Sequence, residues 1–161
     1  MENLEITVKV ETSLNELLNY LTSNNFRFHQ SFRCIDIFMI KKEKTFDREG
    51  RIIKSNQDII DINNVPSRKI ELEKEGYVEL MRMDDYCYTF SKSNHEFIVE
   101  YVAPIGTFIE FEDRNFYSNL RNGESIEELI TLFNTFKIKY DKSDYFVKKA
   151  WLLLNKEKKS Q

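Results

Sequence analysis

The chain has 161 residues and a net charge of −3, with 41% hydrophobic and 32% charged residues. That length suits one globular domain with a buried core. The balance excludes wholesale disorder and any global pull toward nucleic acid or an anionic membrane. No apolar run reaches bilayer length, and the opening MENLEITV lacks the basic and apolar regions of a secretion signal. The expectation is a single cytoplasmic domain over residues 1–161.

The first element, LEITVKV, alternates strictly. Leu4, Ile6, Val8 and Val10 lie on one face of a strand, and Glu5, Thr7 and Lys9 on the other. Ser13 with Glu16 then makes a capping box, and Leu14, Leu17, Leu18 and Leu21 recur at helical spacing, which predicts a helix over Leu14–Thr22. FRCIDIFMIKK reads as a strand around Asp36. A turn at Arg48–Gly50 precedes strands near Ile52–Lys54 and Ile59–Ile62. In SRKIELEKEGY, Ser67 as N-cap and Gly76 as stop predict a short helix, although Ile70 and Leu72 also alternate as a strand.

Three extended runs follow: YVELMRMDDYCYTF, HEFIVEYVA and GTFIEFED, joined by SKSN and PIG. SIEELITLFNTF carries a second capping box, Ser125 with Glu128, and SDYFVKKAWLLL predicts a last helix capped by Ser143. Aromatics reach 14%, against four Gly and two Pro, which favours half-buried pleated surface and leaves no glycine-rich phosphate loop. Strands joined by hairpins with helices at the margins predict an α+β domain whose antiparallel strands form a barrel or open tunnel.

Acids stand in mid-strand at Glu5, Asp36, Glu100, Glu110 and Glu112, where propensity disfavours them and unpaired burial is costly. Two readings obey the same period of two. The acids face water, as on many antiparallel sheets, or they gather around an interior and hold a divalent cation through oxygen. Only two histidines occur, His29 and His95, so a metal here would be carboxylate-held, which suits Mg²⁺ or Mn²⁺. Cys34 and Cys87 read as isolated thiols, with no base beside Cys87 to make it a nucleophile. Lys41, Lys42 and Lys44 read as a solvated strand end rather than a nucleic-acid patch.

These residues resemble the CYTH family, the triphosphate tunnel fold of class IV adenylate cyclases, thiamine triphosphatases and inorganic triphosphatases. EITVK resembles its acid–x–acid–x–lysine opening, with Glu5 and Lys9 matching and Thr7 in place of the second acid. CIDIFM is similar to its second strand through Asp36. Glu100-Tyr101-Val102, Ile105-Gly106-Thr107-Phe108 and Glu110-Phe111-Glu112 fall in register with its later motifs, and KSDYFVKKAWLLL resembles its closing segment.

The resemblance implies a metal-dependent phosphohydrolase acting on an inorganic, thiamine or nucleoside triphosphate, or an adenylate cyclase-like enzyme. Glu5, Glu100, Glu110 and Glu112 would hold Mg²⁺ or Mn²⁺, and Lys9 and Glu110 would be catalytic. Lys9, Arg33, Lys41, Lys54 and Arg82 would bind the small-molecule triphosphate or another polyanion; neither nucleic acid nor membrane is an expected partner. The chain departs from the family in lacking an Arg-x-Arg strand between Met39 and Pro66, and in carrying Asp85 and Cys87 where bases stand before the hairpin. That departure sets up the alternative, a catalytically degenerate barrel that binds an anionic ligand or a protein partner.

Overall fold

The computed structural model describes residues 6–41, 60–92, 95–111, 130–131 and 134–159. Its elements are β1 (Ile6–Lys9), α1 (Leu14–Ser23), β2 (Arg27–Lys41), a 3-10 turn (Ile62–Asn64), α2 (Val65–Lys74), β3 (Tyr77–Lys92), β4 (His95–Val102), β5 (Gly106–Phe111) and α3 (Lys149–Lys159). The strands form one sheet in the order β1-β5-β4-β3-β2. The pairs β1–β5, β4–β5 and β3–β4 are antiparallel. The chain divides into two compact units, Met1–Cys34 with Asp84–Lys149, and Ile35–Met83 with Ala150–Gln161.

The first unit holds the core. Alternation sends Ile6 and Val8 of β1, Phe90 of β3, Phe97 and Val99 of β4, and Ile109 and Phe111 of β5 to one face. There they pack with Leu17 and Leu21 of α1, Phe26 and Phe136. Phe26 meets Phe97 and Phe136 edge to face, at centroid distances of 5.7 and 5.1 Å, a geometry the ring quadrupoles favour. Helix α1 begins as its sequence dictates, with Ser13 Oγ accepting from the Glu16 amide at 3.2 Å. It stops at Asn24, and Asn25 takes a positive φ of 63°, which asparagine tolerates better than most residues.

The free edge of β1 is covered by the segment before α3. The Thr7 amide donates to Tyr145 O, and the Val147 amide donates to Thr7 O. On the other side of Val10, the Glu11 amide donates to Lys139 O and the Asp141 amide to Lys9 O. An edge that would otherwise expose unpaired backbone is thereby satisfied.

In the second unit, α2 carries Pro66 in its first turn, where a missing amide hydrogen is harmless. Gly76 ends it with a φ of 93°. Glu79 accepts from Arg82 at 2.7 Å and pairs with Lys69 at 3.4 Å, while Lys41 lies 5.5 Å from the Tyr77 ring centre.

Several expectations require correction. The described strands make an open sheet with β1 and β2 at its edges, and they do not close into a barrel. Asn64, not Ser67, precedes α2. The strand expected near Ile59–Ile62 is a 3-10 turn from Ile62, capped by the Asp61 carboxylate on the Asn63 amide. The last helix starts at Lys149 rather than after Ser143. Asp141 engages the Ser143 amide and hydroxyl, Asp144 engages the Phe146 amide, and Thr7 holds 145–147 extended. The expected Arg48–Gly50 turn, the Ile52–Lys54 strand and the Ser125–Glu128 capping box lie outside the described residues. Among the described residues, no helix is long and apolar enough to cross a membrane.

Candidate functional site

The face of the sheet opposite the core carries the polar residues of the first unit. Register puts Thr7 opposite Glu110 and Lys9 opposite Phe108. On the same face, Glu100 stands opposite Phe108 on one side and Cys87 on the other, with Asp85 opposite Val102. Asp85 and Glu110 therefore lie on the two diagonals of Glu100, within reach of one long side chain.

That side chain is Lys149. Its Nζ lies 3.2 Å from Asp85 Oδ2 and 3.4 Å from Glu110 Oε2, and it contacts Glu100 Oε2 directly. The side chains of Asp85 and Glu100 are 5% and 6% exposed, and those of Glu110 and Lys149 both 13%. Three carboxylates thus share one ammonium in a largely desolvated setting, where charges without partners are costly. Among the described residues, Asp85 Oδ1 is buried with no hydrogen-bond partner. The two backbone bonds to Thr7 fix residues 145–147, so the start of α3 delivers Lys149 to this face.

One ligand atom from each of Asp85, Cys87 and Glu100 falls within 4.8 Å of the others, the spacing of a metal site. Burial, then the neighbouring Asp85 carboxylate, pushes the Cys87 thiol up to about 12. A neutral thiol is a poor ligand, so the usable donors are carboxylate oxygens. The Asp85 and Glu100 carboxylates are the oxygen donors that a hard cation such as Mg²⁺ or Mn²⁺ takes, and Glu110 is tied to them through the shared Lys149 ammonium.

Of the residues singled out from sequence, Glu100 and Glu110 come together. Lys9 lies on the same face, exposed and without an ion pair among the described residues. Its charge helps hold the Asp141 carboxyl below its usual range, behind the larger effect of hydrogen bonds from Ser143. Arg33 is instead exposed and bound through two nitrogens to Asp84, at 2.7 and 2.6 Å. Arg82 and Lys41 belong to the second unit, as does the half-buried Asp36. Glu5, Lys54 and Glu112 lie outside the described residues.

Sequence reasoning missed the central cation. Lys149 is the first residue of α3, after an irregular segment, and its facing is set by that segment's long-range bonds to Thr7 rather than by helical periodicity. Asp85 was legible in principle, because it shares strand parity with Cys87, and its register partner is Val102.

No protein-family pattern and no curated protein matches the chain. Among solved structures, it is similar to the PH1819 protein of Pyrococcus horikoshii OT3, at 15% identity and a TM-score of 0.62, covering 95% of this chain and 99% of that one. It is also similar to a Vibrio parahaemolyticus protein provisionally named an adenylate cyclase, at 16% identity and a TM-score of 0.59, over 93% and 97% of the two chains. The PH1012 protein of Pyrococcus horikoshii OT3 follows at 14% identity and a TM-score of 0.55, over 88% and 97%. At these identities the likeness shows the fold alone, shared with these structures along most of the chain.

Proposed function

We propose that the chain is a divergent CYTH-type protein that binds a triphosphate together with a divalent cation on the polar face of its sheet, in a tunnel-like fold, and hydrolyses it. The observation that carries this reading is the convergence of Asp85, Glu100 and Glu110 from three adjacent strands, with the exposed Lys9 on the same face. The likeness to a protein provisionally named an adenylate cyclase supports a nucleotide or other triphosphate as the ligand class.

In this reading the three carboxylates hold Mg²⁺ or Mn²⁺. The bound ion would neutralise phosphate oxygens as charge develops in phosphoryl transfer. Lys9 contacts a terminal phosphate through its exposed ammonium, in competition with the nearby Asp141 carboxylate. Glu110, more accessible than Asp85 or Glu100, orients the attacking water. Hydrolysis is favoured over cyclisation because it needs neither a ribose-positioning base nor a nucleobase pocket.

The test is phosphate release from tripolyphosphate, thiamine triphosphate and ATP with Mg²⁺ or Mn²⁺. The expected outcome is turnover of at least one substrate, lowered about 100-fold or more in Glu110→Gln, as for loss of a catalytic acid–base group. Equal rates in the two proteins would remove Glu110 from the mechanism. A second reading, a binder without turnover, is favoured by one observation: Lys149 already pairs with all three acids, while Arg33 is bound to Asp84. Tight triphosphate binding with no phosphate release from any substrate would establish it.

A further inference from the structure

We infer that Lys149 is a tethered cation that occupies the divalent-cation site and must be displaced before metal binds. The inference rests on the proposed metal role of the acids, and goes further in assigning a residue that regulates it. An ammonium within 3.4 Å of Glu110 and 3.2 Å of Asp85, and in contact with Glu100, uses the same oxygens that a hard cation would take.

Like-charge repulsion prevents a lysine and a divalent ion from sharing this space at full occupancy. One must leave. The three acids carry more negative charge than one ammonium cancels, and the orphaned Asp85 Oδ1 marks where that excess is unmet. The metal therefore has a driving force to enter, opposed by the cost of withdrawing Lys149. Lys149 is the first residue of α3, so its side chain can swing out from a helix terminus without unwinding a turn. Displaced, it adds a second ammonium to the face that carries Lys9. Metal loading then creates anion-binding capacity at the same time as it fills the acid cluster. The site exchanges an internal cation for an external one.

The experiment titrates Mn²⁺ alone, with no phosphate, into the wild-type protein and Lys149→Met by calorimetry and by loss of the free-ion EPR signal. The expected result is Mn²⁺ binding at least about tenfold tighter in Lys149→Met, a difference of about 1.4 kcal/mol. Equal or weaker binding in the variant overturns the inference while leaving the proposed metal site standing. Absence of Mn²⁺ binding in both proteins overturns the inference and the metal role together. Because Lys149→Met strands three acids, Asp85→Asn is compared with Asp85→Asn/Lys149→Met, where the same tightening is expected and equal affinities again overturn the inference. A third readout needs no variant: amine acetylation followed by peptide mass mapping. Lys149 is expected to be protected in metal-free wild type and modified several-fold faster once Mg²⁺ saturates the site. Unchanged protection at saturating Mg²⁺, shown bound by calorimetry, contradicts displacement.

Discussion

The Cys87 side chain shows how one environment sets one chemistry. Its thiol is buried and faces the Asp85 carboxylate, and both effects disfavour the thiolate, so its pKa rises from 9.0 to about 12. The folded state therefore keeps a proton that the unfolded chain releases above pH 9. The sign follows from linkage: Cys87 contributes stability below pH 9, and that contribution is lost as pH rises toward 12. Thermal unfolding from pH 8 to 11 is expected to show a falling Tm that flattens in Cys87→Ala. A fall of identical slope in the variant would assign the loss to other groups. The same burial predicts reactivity. At pH 8 a small thiol reagent is expected to label the half-buried Cys34 in the native protein and Cys87 only after denaturation; two rapid native labels would contradict the placement of Cys87.

At the scale of elements, α1 and the strand cores are where sequence pattern and physics agree. Ser13→Ala removes the acceptor for the Glu16 amide and is expected to cost about 1 kcal/mol. Leu21→Ala, at a fully buried position of the same helix, is expected to cost about 2–5 kcal/mol. Denaturant unfolding measures both, and a Leu21→Ala cost below that of Ser13→Ala would place the core elsewhere. The helix and the alternating strands were legible because each pattern reports one local choice, a cap or a facing. What was illegible depends on long-range pairing. The extended run at 145–147 looks helical in isolation, since Ser143 precedes an amphipathic stretch. It is extended because Thr7, far away in sequence, takes its backbone bonds. Lys149 was hidden for the same reason, as was the pairing of Arg33 with Asp84, since pattern cannot reveal a partner on another strand.

For the molecule as a whole, the sheet separates its two tasks by face. One face of the first unit is closed over by aromatic and aliphatic side chains, and the other concentrates acids around a lysine. A net charge of −3 over 161 residues offers no long-range attraction to a polyanion, so under the proposed function recognition of a triphosphate would come from the local site: Lys9, a bound metal and the ammonium it would release. Affinity for triphosphate should therefore depend steeply on the divalent ion. The most direct test is calorimetric titration of tripolyphosphate into the wild-type protein, with saturating Mg²⁺ and again with EDTA. The account predicts micromolar or tighter binding with Mg²⁺, about 8 kcal/mol or more, and a loss of at least about tenfold, or 1.4 kcal/mol, when the metal is removed. Absence of binding in the presence of Mg²⁺, or equal affinity with and without it, would contradict the account.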